Sequence, residues 1–172
     1  MVRTREPFRV EDSLHGLAFS LRTPFKTWPM IDGWHTYNMQ DPTQPVQRDG
    51  TRDIMAAVAQ IIGHGTDTGG FPNGIYALFW PHFMLKDSRI PALIQMIAEI
   101  ARSCSESTKR VVLIVPPSFN VPPELQESVS LLDFDLPNRE EMAESYARIY
   151  QSLDGPEHRP VRWTVSSLLS SA

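Results

Sequence analysis

Two short apolar runs, at 75–80 and 111–115, restrict the possible folds of this chain most strongly. Neither run alternates between polar and apolar residues. A strand of this kind is buried on both faces, as in a parallel sheet covered by helices. The segment 88–103 between the runs has isoleucine and leucine at helical spacing, which predicts a helix that crosses over between two neighbouring parallel strands. The sequence therefore predicts an α/β fold with a mainly parallel sheet flanked by helices.

The other segments add elements around this centre. Apolar spacing predicts helices over 13–22 and 49–62, the second capped by Asp49 or Thr51. Pro137-Asn138 is expected to open a further helix. Weaker patterns predict an edge or interrupted strand at 25–31, a long loop at 32–50, a helical turn at 122–125 and a strand near the sheet edge at 131–136.

The domain organisation follows from length and from the positions of the helix-breaking residues. A chain of 172 residues is long enough for one domain and a short appendage. Charged residues without periodicity predict an N-terminal arm at 1–12. The α/β domain is predicted at 13–155, and 156–172 is predicted to be a C-terminal extension that leads toward a further part of a longer protein.

Composition excludes several classes of protein. A net charge of −4 argues against general nucleic-acid binding. The single cysteine, Cys104, excludes an internal disulfide and a multi-cysteine zinc site. No apolar run approaches the roughly 18 residues that a membrane-spanning helix needs. We therefore expect a soluble cytoplasmic protein.

Residues 65–70 have the glycine spacing of a phosphate-binding P-loop. A P-loop continues with a lysine and a hydroxyl residue that contact phosphate and magnesium, but Phe71-Pro72 stands there. A P-loop also joins a strand to a helix, whereas this loop is expected to join a helix to a strand. The strand at 75–80 ends in Trp80-Pro81 without an acid for magnesium, and the nearest acid, Asp87, is interpreted as a helix cap. We expect no cofactor site in this chain.

Ser118 follows a buried strand, which is where a hydrolase nucleophile can stand. A nucleophile elbow needs glycines around its serine, but Pro117 and Phe119 flank Ser118. No two of the five histidines have the i, i+4 spacing of a zinc-binding helix, and Cys104 is predicted to be an inert thiol. The sequence thus predicts neither catalytic residues nor metal ligands.

Aromatic residues are concentrated in the loop predicted at 32–50 and just before it. Trp28, Trp34, His35 and Tyr37 lie among glycine and proline residues without a regular pattern. Such a loop can present aromatic side chains to a partner. These four residues are the predicted partner-binding site; the alternative is that the tryptophans anchor the core.

Several segments, in this order, resemble the N-terminal domain of the plastid hypothetical-frame family of AAA+ ATPases, whose relatives also occur in bacteria and phages. The segments are Phe25 to Trp34 with its Asp-Gly-Trp ending, Ala77 to Asp87 with its Leu-Lys-Asp ending, Val111 to Pro117, Val121 to Leu125, and Leu132 to Met142. The sequence departs from that family because no first strand is evident before the helix at 13–22 and because it contains no Walker A motif.

The resemblance implies a degenerate P-loop fold and a catalytically inactive N-terminal domain that recruits partners or substrates, or assembles the ring, for an ATP-hydrolysing module. ATP and magnesium would belong to that module, and homo-oligomers would form through it. The partner would be a protein or a client of the parent ATPase. Two alternatives remain: a free-standing α/β enzyme using Ser118 or an acid with a histidine, and an independent binding or structural protein.

Overall fold

The computed structural model describes residues 1–41, 46–63, 70–85 and 91–153. The chain divides into two compact units, Met1–Leu136 and Pro137–Ala172. The first unit contains the sheet, and the described part of the second is the helix that begins at Arg139. None of the helices in the described ranges is long and apolar enough to cross a membrane.

The first unit alternates strands and helices along the chain. Its elements are β1 (Val2–Arg3), α1 (Pro7–Leu21), β2 (Phe25–Trp28), β3 (His35–Thr36), β4 (Gln47–Arg48), α2 (Ile54–Ile62), β5 (Ile75–Phe79), α3 (His82–Leu85), α4 (Pro91–Ser105), β6 (Arg110–Val115), a 3-10 turn (Pro123–Leu125) and β7 (Leu132–Asp133). The predicted helical turn at 122–125 is thereby confirmed.

Within the described residues the strands form one seven-stranded sheet in the order β4-β3-β2-β5-β6-β1-β7. Strands β2, β5, β6, β1 and β7 are parallel, and β3 and β4 are added antiparallel to β2. Ile75 pairs with Arg110 and Phe79 with Ile114, so the two apolar runs are adjacent and parallel, with α4 between them in sequence. The predicted mainly parallel α/β sheet is confirmed.

The helices cover the two faces of the sheet unequally. Tyr76 and Leu78 of β5 belong to the larger core cluster, together with α2 and α4. Ala77 and Phe79 point to the opposite face because side chains alternate along a strand. There they cluster with Val10 of α1 and with β1 and β6. We call these the α4 face and the α1 face.

The N-terminal residues correct two expectations. Residues 1–12 are not an arm, because Val2 and Arg3 form β1, which pairs with both β6 and β7. This is also the first strand that was not evident in the sequence. Helix α1 begins at Pro7 and not at residue 13, with proline at the first helical position where its missing N–H does not matter.

Two further boundaries differ from the predictions. Strand β2 is not an edge strand, because β3 pairs with its outer side, and Pro29 follows its end. Helix α2 begins after Asp53, whose carboxylate accepts a hydrogen bond from the Met55 N–H at 2.9 Å. Asp49 cannot be its cap because the same carboxylate oxygen binds the backbone elsewhere, at Trp34 and Thr51.

The second unit contains α5 (Arg139–Leu153) in its described part. Asn138 and Glu141 exchange hydrogen bonds between side chain and backbone, which is a capping box at the helix start. The predicted helix after Pro137-Asn138 is confirmed. The sequence placed this segment in the same domain as the sheet, whereas the structure groups it separately. The predicted extension at 156–172 lies outside the described residues.

Candidate functional site

Two of the predicted partner-binding residues lie inside the core of the α4 face. Trp28 is fully buried, and Trp34 is 1% exposed. The Trp28 indole donates a hydrogen bond to the Thr51 carbonyl at 2.7 Å. The Trp34 ring lies edge-on to Tyr76, with ring centroids 6.1 Å apart. The prediction that these two rings form a docking surface is wrong, because a partner cannot reach them in the folded domain.

A local backbone arrangement forces Trp34 inward. Gly33 has φ +80°, and a Cβ atom built on it would lie 2.3 Å from the Thr51 nitrogen. Asp49 accepts hydrogen bonds from the backbone N–H groups of Trp34 at 2.8 Å and Thr51 at 2.9 Å. The Asp-Gly-Trp segment is therefore a turn that positions a core residue, since only glycine fits at its centre.

His35 and Tyr37 lie at the β3 side of the sheet and are both partly buried. His35 Nε2 is 3.6 Å from the Asp32 carboxylate, which also pairs with Arg48 at 3.1 Å. The Tyr37 hydroxyl donates to Glu11 of α1 at 2.7 Å. Burial, followed by this hydrogen bond, raises the pKa of Tyr37 to about 12. A role of these two residues in docking stays a prediction. The Tyr37 hydrogen bond joins α1 to the segment after β3, whereas Asp32 joins His35 to Arg48 of β4.

The carboxyl ends of the parallel strands meet at one edge, where open α/β sheets commonly bind ligands. The connection from β1 to α1 is only Thr4-Arg5-Glu6. Thr4 is buried; its N–H donates to the Val115 carbonyl, and its hydroxyl accepts from the Glu6 N–H. At this point the chain passes from strand to helix through three residues, and the N–H groups of Thr4 and Glu6 are already hydrogen-bonded.

Aromatic and proline residues follow β5 and β6 at the same edge. Trp80 has φ +57°, a conformation that is costly for a bulky residue, and its N–H donates to the Ile114 carbonyl at 3.0 Å. Its ring lies edge-on to His82, which in turn contacts the exposed Phe83. In the described segments after β5 and β6, rings and proline therefore stand where magnesium chemistry uses carboxylates.

The other sequence candidates are dispersed. Ser118 is exposed and makes no hydrogen bond within the described part of the chain, so no base is seen to activate it. Cys104 is partly buried, and burial raises its pKa, which keeps the thiol protonated. Asp87 and the residues 65–69 lie outside the described residues, while Phe71 stacks on Tyr76. No cluster of metal-ligating side chains occurs among the residues that were described.

Several exposed apolar residues lie on α1 and β7, while others, such as Ile31 and Phe83, lie elsewhere. Val10, Leu14, Leu17 and Leu21 follow each other at helical spacing of four, three and four residues. Val10 is buried, but Leu17 is 49% and Leu21 63% exposed. Glu11 and His15 contact Tyr37 on the β3 side, so the 100° step per residue places Leu17 and Leu21 on the flank that faces away from β3.

That flank of α1 faces the side of the sheet on which β7 lies. Leu132 is 60% exposed and is in register with Val2, itself in register with Ile114, so it lies on the α1 face. Val112 and Phe134 pack partly against the same cluster.

Sequence reasoning predicted a helix at 13–22 from its apolar spacing, but did not say which of its apolar residues are buried. A stripe that is longer than the surface it covers looks the same in sequence as a fully buried one. A sequence signal that could have distinguished the two cases is the presence of small residues between the leucines. These are Ser13, Gly16 and Ser20, and all three are exposed.

Comparison with known proteins gives one match. A family model for the SpoVK-like AAA ATPase N-terminal domain matches residues 1–134, the range that contains every strand of the described sheet. Neither a curated protein nor a solved structure matches the chain. The match confirms the predicted N-terminal domain of an AAA+ ATPase. With 134 of its 172 residues matched, the chain belongs to the family of SpoVK-like AAA ATPase N-terminal domains.

Proposed function

We propose that this chain is a catalytically inactive domain that recruits a protein partner or client for an ATP-hydrolysing AAA+ module of the same protein. The observation that carries the proposal is the three-residue connection between β1 and α1. A P-loop motif spans eight residues, and its glycine-rich loop between strand and helix directs backbone N–H groups at the phosphates. Thr4-Arg5-Glu6 is too short to enclose a phosphate in this way.

The neighbouring strand ends support the same conclusion. Phosphoryl transfer needs a magnesium ligand and a residue that orients water. Strand β5 is followed by Trp80-Pro81, and β6 by Pro116-Pro117. The proposal therefore treats the fold as a P-loop-like sheet that lacks the phosphate loop, and assigns ATP, magnesium and any ring formation to the catalytic module.

The recruiting role is supported by surface composition. Leu17 and Leu21 of α1 and Leu132 of β7 expose large apolar side chains to solvent. A partner protein that covers them would gain the free energy of removing this surface from water. We further propose that the protein is cytoplasmic and that it is related to the plastid hypothetical-frame family, which has bacterial and phage relatives.

Calorimetric titration of the 172-residue chain with magnesium-ATP, run beside a phosphate-release assay, tests the inactivity. We expect no saturable heat and no release above buffer. Micromolar binding would contradict the proposal. So would release that is lost in Asp87→Ala, a variant that removes the first carboxylate after β5. If Asp87→Ala leaves phosphate release unchanged, the assay is repeated with Arg5→Glu, which reverses the charge just before α1. Loss of release in that variant would also place a working site at this edge.

A further inference from the structure

We propose that a cavity beside α4, on the α4 face, binds a small molecule with an apolar body and one polar end that accepts hydrogen bonds. The cavity has a volume of about 260 Å³, and all of its lining residues belong to the first unit. For comparison, an apolar cavity of about 150 Å³ in another protein takes up benzene. The space beside α4 therefore suits one aromatic ring with a short side chain. This site is additional to the recruiting role and does not depend on it.

The inner wall of the cavity is apolar. The lining residues that are 4% exposed or less come from the sheet and from both helices on this face: Val58 of α2, Leu78 of β5, Ile97 and Ile100 of α4, and Leu113 of β6. A buried water needs about two to four polar partners, and these side chains provide none. An apolar group that fills this part of the cavity is removed from water, which is the main source of the expected affinity.

The space follows from a change of residue size along α4. Leu93 and Ile97, in the first half of the helix, are large and buried. Ala101 and Cys104 continue the same face at steps of four and three residues, but their side chains are short, and both line the cavity. Val129, from the segment before β7, also lines it. A leucine at position 101 would fill part of the space, so the sequence of α4 determines its size.

Hydrogen bonds within the domain hold two sides of the cavity in place. Nη1 of Arg110 donates, at 2.8 to 3.2 Å, to three backbone carbonyls at or just after the end of α4, those of Cys104, Ser107 and Lys109. The N–H groups of Ser128 and Val129 both donate to the carbonyl of the buried Leu125 at 3.0 Å. A site that is already formed loses less conformational freedom when a ligand binds.

The exposed side of the cavity supplies hydrogen-bond donors. Its exposed lining residues are Arg110, Ser128 and Ser130. A guanidinium has five N–H donors and no acceptor, and the bonds to backbone carbonyls use only Nη1 of Arg110. Among the described residues that line the cavity, none is an aspartate or a glutamate; the nearest in sequence, Glu106 and Glu127, are exposed and lie outside the lining. A carboxylate is therefore the polar end that fits best.

The test uses two compounds with the same apolar body and opposite polar ends, 3-phenylpropionate and 3-phenylpropylamine. Chemical-shift changes in the NMR spectrum of the 172-residue chain measure the affinity of each. We expect saturable binding of the propionate with a Kd of about 1 mM or below. The amine should bind roughly fivefold more weakly or worse, because its ammonium group accepts no hydrogen bond and is repelled by Arg110.

Cys104 gives a second readout, because it lines the cavity and is the only thiol of the chain. Its alkylation by iodoacetamide is followed at mildly alkaline pH, since burial raises the pKa of this thiol. A bound propionate blocks access to the sulfur, so saturation should slow the reaction roughly threefold or more.

Matched variants locate the site. Ala101→Leu should weaken binding of the propionate roughly tenfold or more, because the added side chain occupies the cavity. Cys104→Met fills the space from a second position with a more adaptable side chain and should act in the same way. Ala56→Leu is the control: residue 56 is exposed on α2 and does not line the cavity, so binding should be unchanged. Arg110→Gln should reduce the preference for the propionate over the amine to less than about twofold. Circular dichroism checks that each variant is folded.

Absence of saturable binding, or binding that persists unchanged in folded Ala101→Leu or Cys104→Met, would overturn the proposal. Binding that leaves the alkylation rate of Cys104 unchanged would place the compound elsewhere on the chain and would contradict it as well. Equal affinity for the propionate and the amine would overturn the choice of polar end. These outcomes are separate from the magnesium-ATP titration, which tests the carboxyl edge of the sheet, so either proposal can fail alone.

Discussion

On the α4 face, α2 and α4 lie against β5 and β6, and Trp34, Leu93 and Ile97 are almost completely enclosed. On the α1 face, α1 is the only helix among the described residues of the first unit, and Leu17 is 49% and Leu132 60% exposed. The central strand is equally apolar toward both faces, because all five residues of β5 are buried. The difference therefore comes from the number of helices available and not from the strands.

The two faces differ in that residues needed for folding are enclosed, whereas residues open to a partner lie at the margin. Residues enclosed between the sheet and two helices are needed for folding and are closed to a partner. Residues at the margin of a single helix contribute less to folding and remain accessible. Three predictions test this separation, in order of decreasing effect.

The largest effect is expected for Trp34→Ala. Removing a fully enclosed indole should lower the free energy of unfolding by about 3–5 kcal/mol, because a cavity replaces the ring. Leu17→Ala should change it by less than about 1 kcal/mol, since its side chain is already half in water. Urea denaturation followed by circular dichroism measures both values. Equal losses would show that the two faces do not differ in this way.

The second prediction concerns alkaline pH and includes one tyrosine from each face. Burial raises the pKa of Tyr76 on the α4 face to about 12, and burial with the Glu11 hydrogen bond raises the pKa of Tyr37 to about 12. The unfolded chain loses these protons near pH 10 and the folded domain keeps them. Stability is thus fully present below pH 10 and falls as pH rises toward 12.

Each tyrosine should account for a loss of roughly 1–2 kcal/mol over that interval, after allowance for solvent screening. Denaturation of the chain and of the Tyr76→Phe and Tyr37→Phe variants between pH 9 and pH 12 separates the contributions. Each variant should show a shallower loss than the parent. A parent whose stability is flat to pH 12 would contradict the prediction.

The smallest effect is expected at the helix starts. Asp53→Ala removes the side-chain cap of α2 and should cost about 1 kcal/mol, whereas Asp53→Asn keeps an acceptor and should cost less. Glu6 precedes α1 without capping it and only pairs with Arg9, so Glu6→Ala should cost less than about 0.5 kcal/mol. Thermal melts resolve the difference; a larger loss for Glu6→Ala would reverse the order of the two faces.

Much of the fold was predictable because its centre is built from long, uniform patterns. Strands at 75–80 and 111–115 and the helices around them have enough residues to show a period. Val2–Arg3 has too few, so β1 was assigned to an arm although it pairs on both sides. Pro29 led to the prediction of an edge or interrupted strand at 25–31, and the two-residue strand that pairs with β2, His35–Thr36, is too short to leave a pattern that would correct it.

The candidate site was less predictable. Trp28 and Trp34 are the kind of residue that binds partners and also the kind that fills cores, and composition does not distinguish these roles. The decision depends on Gly33 and Asp49, which turn the chain so that Trp34 enters the α4 face. Leu17 and Leu21 differ in the opposite direction, because their helical spacing is typical of a buried face and yet both side chains are exposed.

The sequence by itself determined the class of fold, the parallel pairing of its two apolar runs and the family resemblance, because these depend on residue order and local period. The tertiary structure decided which apolar residues are enclosed. Enclosure depends on how many neighbours reach a side chain, and those neighbours are distant in sequence: Thr51 for Trp28 and Glu11 for Tyr37. An apolar side chain therefore lies in the core at Trp34 and at the surface at Leu17, because two helices cover Trp34 and none covers Leu17.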